Sequence, residues 1–221
     1  MKITYVDGYK IRQTLDPDFN IIGFGGFDPL RQNRRPYIPE KEIWFDRRFK
    51  SEKKFILLVE MAPKTKKRSS KKRFVDEERY LTNKRFIKKG EIPKFTLKTE
   101  KRNEVLIKHI HGSIVRQYID PDFVFGGHGY VYSYIPKNEV WLDALMDPCD
   151  LPHVLCHELV EMRLMKDEKK SYITSHEYAT IVEKENRRKY GGVYPGDDAF
   201  PRSWTHSFLI KYYEKQHNCL K

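Results

Sequence analysis

Five consecutive residues in the second half of the chain, His157-Glu158-Leu159-Val160-Glu161, have the types and spacing that suit metal-dependent hydrolysis. On a helix, positions i and i+4 share one face, so His157 and Glu161 can reach the same ion. Glu158 projects to the side of that pair, where a carboxylate can take a proton from water. The pattern therefore predicts His157 and Glu161 as metal ligands and Glu158 as the general base.

A helical hairpin is predicted to complete this site. Apolar residues recur at helical spacing over 151–165, a short polar loop follows, and a second helix is expected over about 172–189. In an antiparallel pair folded at that loop, Glu161 lies opposite His176, and Glu183 lies on the same side. We therefore expect His176 to be the third ligand, and Glu183 to be a fourth ligand or to orient a ligand histidine.

These residues resemble the site of the zincin-type metallopeptidases, over residues 141–189. The matching positions are the His157-Glu158 pair, Glu161 at the place of the second ligand, and His176 on the next helix. Glu161 stands where the family motif has a second histidine. The resemblance implies a zincin-like second half, a zinc ion or another divalent metal bound by His157, Glu161 and His176, and a peptide substrate.

His128 lies in the glycine-rich stretch FGGHGY, where the backbone can approach a ligand closely. The stretch precedes the ligand helix, as substrate-binding edge strands do in zincins. His128 is therefore a candidate on the substrate side of the site. The alternative is an ordinary residue of a turn.

The chain also matches itself in four blocks that occur in the same order. We interpret them as a tandem duplication within an α+β protein, in which each copy has a small antiparallel sheet followed by a helical hairpin. The copies are placed at residues 1–104 and 105–221, the second with a C-terminal extension. The matching blocks are GYKIRQTLDPDF with GSIVRQYIDPDF, YIPEKEIWFD with YIPKNEVWLD, LVEM with LVEM, and YLTNK with YITSH.

The first copy lacks most of the proposed site. Three site residues are replaced together while neighbouring block positions are kept, which favours a site that is retained or lost as a unit. We therefore predict a metal site in the second copy alone, with the first copy as a degenerate scaffold or polyanion-binding module. The aligned pairs are His157 with Ile56, Glu158 with Leu57, His176 with Lys84, and the conserved Glu161 with Glu60.

The excess of positive charge is confined to the first copy. Residues 1–104 hold 28 Lys and Arg against 15 Asp and Glu, whereas residues 105–221 hold 15 against 16. This asymmetry predicts a nucleic-acid or other polyanion partner, bound through phosphate contacts, and a solvated surface without a partner is the alternative. The basic residues of one segment are the predicted contacts: Lys64, Lys66, Lys67, Arg68, Lys71, Lys72 and Arg73.

Composition limits the remaining possibilities. The three cysteines, Cys149, Cys156 and Cys219, form no CxxC pair, which favours a reducing cytoplasmic or intracellular compartment. No apolar run reaches about 18 residues, so we expect no membrane span. The Lys-, Ile- and Tyr-rich usage is compatible with a viral, virion-associated protein.

The function that the sequence favours is a metal-dependent hydrolase, most simply a zinc peptidase. The alternative is a non-enzymatic basic structural or nucleic-acid-associated protein that retains a metal-like pocket.

Overall fold

The structure is a computed structural model that describes residues 1–25, 35, 37–62 and 84–190. Within these ranges the chain has an α+β fold with two small mixed sheets and five α-helices. The α+β class predicted from the sequence is therefore confirmed. None of the described helices is long and apolar enough to cross a membrane.

The first sheet has the strand order β1-β3-β2. β1 runs parallel to β3, whereas β2 runs antiparallel to it. A 3-10 segment, Arg47–Glu52, leads from this sheet into the helix that follows. The elements in chain order are β1 (Lys2–Val6), α1 (Gly8–Thr14), β2 (Ile22–Phe24), β3 (Glu42–Asp46) and α2 (Lys53–Glu60).

The second sheet has the order β4-β5-β7-β6. β5 runs parallel to β7, and β6 runs antiparallel to β7, so these three strands repeat the arrangement of the first sheet. β4 is an additional edge strand, antiparallel to β5. The elements are β4 (Thr96–Arg102), β5 (Val105–Ile110), α3 (Gly112–Tyr118), β6 (Gly126–His128) and β7 (Glu139–Asp143).

The prediction that each sheet is antiparallel is wrong. A parallel pair needs a crossover connection, and α1 and α3 lie in the connections from β1 to β3 and from β5 to β7. Alternation of polar and apolar residues marks a strand but does not encode the direction of its partner. The predicted copy boundary at 104/105 lies in the turn between β4 and β5, and the division into two domains stays a prediction.

A helical hairpin follows the second sheet, as the sequence predicts. It consists of α4 (Leu151–Lys166) and α5 (Tyr172–Tyr190). Pro152 occupies the first turn of α4, where its missing N–H leaves no broken hydrogen bond. Ser171 precedes α5, and its Oγ accepts the backbone N–H of Thr174 at 3.3 Å, as an N-cap does. The first copy does not repeat this second helix over the described residues. The aligned range is about 80–97, and from residue 84 onwards it has a short 3-10 segment, Lys84–Phe86, then irregular chain and the start of β4. The prediction of an α-helix there is therefore wrong for residues 84–97.

The largest apolar cluster contains residues of both halves of the chain. It packs the two sheets and the helices α2 and α4 against one another, and this burial fixes α4 against β6 and β7. Its most deeply buried members are Ile43, Phe45, Phe49, Ile107, Val140, Leu142 and Met146. A separate cluster of Cys156, Val160, Leu164, Ala179 and Val182 holds the two helices of the hairpin together.

Candidate metal centre

The face of α4 that points towards α5 carries His157 and Glu161. His157 is 8% exposed and Glu161 is 3% exposed, so both polar side chains are withdrawn from water. Apolar residues on the neighbouring positions of α4 pack into the hairpin and fix the rotation of the helix. The i, i+4 spacing then places the two side chains together, and the Nε2 atom of His157 lies 3.5 Å from Oε2 of Glu161.

His176 reaches the same point from α5. Its Nδ1 atom lies 2.8 Å from Oε2 of Glu161 and 3.2 Å from Nε2 of His157. One oxygen and two ring nitrogens therefore form a triangle with edges of 2.8, 3.2 and 3.5 Å. The side chain of His176 is 48% exposed, which leaves this corner of the triangle open to solvent.

The donor set fits a zinc ion. Two zinc–ligand bonds of about 2.1 Å at a tetrahedral angle span roughly 3.4 Å, close to all three edges of the triangle. Two imidazole nitrogens and one carboxylate oxygen are ligands that zinc accepts, and three protein ligands leave one position open. The buried donor atoms of His157 and Glu161 at this separation need a shared proton or a cation to offset their desolvation.

His128 enters the centre from β6 and is completely buried. Its Nδ1 atom accepts the backbone N–H of Tyr130 at 3.2 Å, so the proton of the neutral ring is on Nε2. Nε2 lies 3.0 Å from Oε1 of Glu161 and therefore donates to it. This contact holds one oxygen of Glu161 and leaves Oε2, the other, for the two histidines of the hairpin.

Glu183 contacts the opposite side of His157. Its Oε2 atom lies 3.0 Å from Nδ1 of His157, and its Oε1 atom accepts from Nε and Nη2 of Arg187 at 2.9 and 2.8 Å. Burial raises the pKa of Glu183, but the charges and hydrogen bonds of Arg187 and His157 together outweigh burial and lower the pKa to about 2. An ionised Glu183 orients the ring of His157 with Nε2 towards Glu161.

Glu158 lies beside the triangle rather than in it. Its Oε1 atom would be 2.9 Å from a Cβ at Gly126, so the glycine of β6 makes room for the carboxylate. Oxygens of Glu158 and Glu161 and a nitrogen of His128 lie within 4.8 Å of one another. Burial, and then the adjacent charge of Glu161, raises the pKa of Glu158 to about 8. A proton can therefore be held on Glu158 near neutral pH.

A cavity of about 1140 Å³ adjoins the centre, and its lining includes His157, Glu158, Glu161 and His176. Its wall is formed by both halves of the chain, including the two Asp-Pro-Asp turns. Each turn is fixed by the same contacts: Asp16 and Asp120 accept from the backbone N–H two residues on, and each carboxylate accepts from a tyrosine hydroxyl, Tyr37 or Tyr134. The recurrence of these contacts favours a structural role for the turns.

The structure brings together His128, His157, Glu158, Glu161, His176 and Glu183. The basic segment predicted to bind polyanions, residues 64–73, lies outside the described residues. The network continues beyond Glu183 to Arg187 and Asp150, which no motif in the sequence marks as part of the site. A comparison of the chain with protein families, curated proteins and solved structures finds no match.

Proposed function

We propose that this protein is a metal-dependent hydrolase that binds one zinc ion through His157, Glu161 and His176. The observation that carries the proposal is the triangle of donor atoms on the facing sides of two helices, with edges that suit zinc. A zinc ion at such a position supplies Lewis acidity towards a carbonyl or phosphoryl oxygen. Peptide bonds are the first substrate class to test, because the residues around this site resemble those of zincin peptidases.

Three side chains of this protein prepare the centre for that chemistry. His128 donates Nε2–H to Glu161 and fixes the orientation of its carboxylate. Glu183 fixes the ring of His157. Glu158 lies at the cavity wall, and its ionised form takes the proton of an attacking water molecule and then returns it to the leaving group.

We also propose that the chain arose by duplication of one unit. Three strands of each sheet have the same order and directions. A helix follows the first of these three strands in each half, β1 or β5, and a longer helix follows the last of them. The strand registers pair Gly23 with Trp44 and Gly127 with Trp141, and they place Phe24 of the first half at the position of His128. The first half thus lacks a fourth residue of the centre.

A second proposal concerns the first half, which would bind nucleic acid or another polyanion through its excess positive charge. This function could accompany the hydrolase. It could also stand alone in a basic structural or nucleic-acid-associated protein that keeps the pocket. Measurements of zinc binding and hydrolysis distinguish the two cases, because only the hydrolase should cleave a substrate in the presence of zinc.

The hydrolase proposal is tested with zinc-loaded protein and a mixture of unstructured peptides, with product detection by mass spectrometry. Glu158→Gln keeps the shape of the side chain but removes the proton acceptor, so we expect hydrolysis to fall by about 10²-fold or more while zinc is retained. Glu177→Gln, at an exposed position of α5, is the matched control and should keep wild-type activity. Equal activity in wild type and Glu158→Gln would contradict the role of Glu158.

A further inference from the structure

We infer that Arg12, in the first half of the chain, is a positioning residue for the metal centre in the second half. It acts through a buried chain of ion pairs, Arg12–Asp150–Arg187–Glu183, that ends on His157. The inference rests on the proposed function, because it concerns how tightly the centre holds its metal. The first half, which lacks the metal-ligand residues, would then support the site through Arg12.

Arg12 lies on α1 and is 2% exposed. Its Nε and Nη2 atoms donate to Oδ2 of Asp150 at 3.0 and 2.6 Å, across the boundary between the halves. Its Nη1 atom donates to the carbonyl oxygen of Phe19, and its guanidinium group lies 4.6 Å from the ring centroid of Phe125. These contacts hold the guanidinium group from several directions, so it provides a fixed anchor.

Both carboxylates in this series of ion pairs, Asp150 and Glu183, divide their two oxygens between two partners. Asp150 gives Oδ2 to Arg12 and Oδ1 to Nη1 of Arg187, at 2.6 Å. Glu183 gives Oε1 to Arg187 and Oε2 to His157. As a result, the position of each group depends on the group before it, from α1 of the first half to the ligand on α4.

Loss of Arg12 would change how the oxygens of Asp150 and Glu183 are shared between their partners. Asp150 would keep a buried oxygen without its cation, and Arg187 would then be the arginine left to serve both Asp150 and Glu183. A buried carboxylate without its partner is costly, so Arg187 is drawn towards Asp150 and away from Glu183. Glu183 then holds the ring of His157 less firmly, and such supporting contacts change metal affinity by about 10–100-fold.

The chain contains a matched control in the symmetric position. Arg116, on α3 of the second half, is 1% exposed and pairs with Glu52 of the first half. Glu52 and Asp150 both precede the longer helix of their half, and neither side chain caps that helix. However, Arg116 contacts both oxygens of Glu52, at 2.8 and 2.7 Å, whereas Arg12 contacts one oxygen of Asp150. The Arg116–Glu52 pair therefore supports folding without a connection to the centre.

The test compares Arg12→Met with Arg116→Met in the full chain. We expect both variants to lower the urea midpoint of unfolding. Arg12→Met alone should weaken zinc binding, by about tenfold in calorimetric titration. It alone should also change the visible absorption spectrum of bound Co²⁺, which reports ligand geometry. Arg12→Lys keeps the charge but gives up the forked contact, so it should recover part of the affinity.

Equal zinc affinities in wild type and Arg12→Met, or equal losses in Arg12→Met and Arg116→Met, would overturn the role of Arg12. If Arg12→Met does not fold, Arg12→Lys is compared with Arg116→Lys, and equal zinc affinities in these two variants would likewise overturn that role. A wild-type protein that binds neither zinc nor Co²⁺ would overturn the proposed function, and this inference with it. Wild-type binding without a specific Arg12 effect would overturn the inference alone.

Discussion

The Nε2 atom of His157 lies 3.2 Å from the Nδ1 atom of His176, although the two residues belong to different helices. Their ring centroids are 4.8 Å apart, and the planes cross at 67°, so the rings meet edge to face rather than stacked. This geometry directs two nitrogen atoms to one point. Together with Oε2 of Glu161, it gives the centre its three donor atoms.

Replacement of His128 by phenylalanine tests how Glu161 is held. Phenylalanine is the residue at the corresponding position of the first half, Phe24, and it keeps the aromatic ring while removing the N–H donor. We expect zinc affinity to fall by about 10–100-fold, because Glu161 loses its fixed orientation, with one zinc ion per chain in both proteins. Calorimetric titration gives both quantities.

The same titration separates two roles for His128. If His128 were a ligand to a second ion, with Glu158 and Glu161, wild type would bind two zinc ions per chain and His128→Phe would bind one. The hydrogen bond from the Tyr130 N–H to Nδ1 favours the donor role, because Nε2 then carries the proton. A stoichiometry of two in wild type would therefore contradict our assignment.

His153 gives the protein a defined dependence of stability on pH. It is 5% exposed on α4, and burial, followed by the charge of Arg187, lowers the pKa of His153 to about 4. Between about pH 6.5 and 4 the unfolded chain binds a proton that the folded chain does not, so the free energy of unfolding falls as the pH falls, by at most about 3 kcal/mol. Above about pH 6.5 His153 is neutral in the folded and the unfolded chain, so it does not change the free energy of unfolding with pH.

The measurement is urea unfolding at several pH values for wild type and His153→Gln, whose amide does not titrate. The difference between the two proteins isolates His153 from the other histidines. We expect the variant to lose less stability than wild type on going from pH 7 to about 4. His111→Gln, at an exposed site, serves as the control and should follow wild type. Parallel curves for His153→Gln and wild type would disprove the assignment.

Polyanion binding by the first half should depend steeply on salt. Each phosphate contact on duplex DNA lowers the logarithm of the affinity by about 0.9 per tenfold rise in salt concentration. We expect deletion of residues 64–73, which lie outside the described part of the structure, to reduce both affinity and salt slope. A segment of equal length with glutamine at its seven basic positions should behave like the deletion. Unchanged binding in both variants would exclude this segment as the contact.

The helical hairpin and three of the site residues could be predicted from the sequence because their relationships are local. Spacing along α4 brings His157 to Glu161, and the position of the loop brings His176 opposite them. The contact of His128 with Glu161 depends on packing of β6 against α4, which spacing does not encode. The sequence nevertheless contains a signal that His128 belongs to the site. If the first repeat block is extended, Gly23-Phe24-Gly25 aligns with Gly127-His128-Gly129, so His128 is replaced in the first copy together with the other site residues.

The direction of strand pairing and the ion pairs between the halves could not be predicted. Both depend on contacts between residues far apart in the chain. Arg12 and Asp150 are separated by 138 positions, and each occurs in an ordinary polar context. The shared Arg-Gln of the first block marks Arg12 and Arg116 as equivalent, but it does not show that each crosses to the other half.

The most direct test of the central claim is the zinc content of the purified full chain, after zinc loading and dialysis, by inductively coupled plasma mass spectrometry. We predict about one zinc ion per chain in wild type and in His111→Ala, an exposed control, and less than about a tenth of that in His157→Ala and His176→Ala. Folding of each variant is checked by circular dichroism. Wild-type protein without zinc after loading, or folded His157→Ala that retains as much zinc as wild type, would contradict the account.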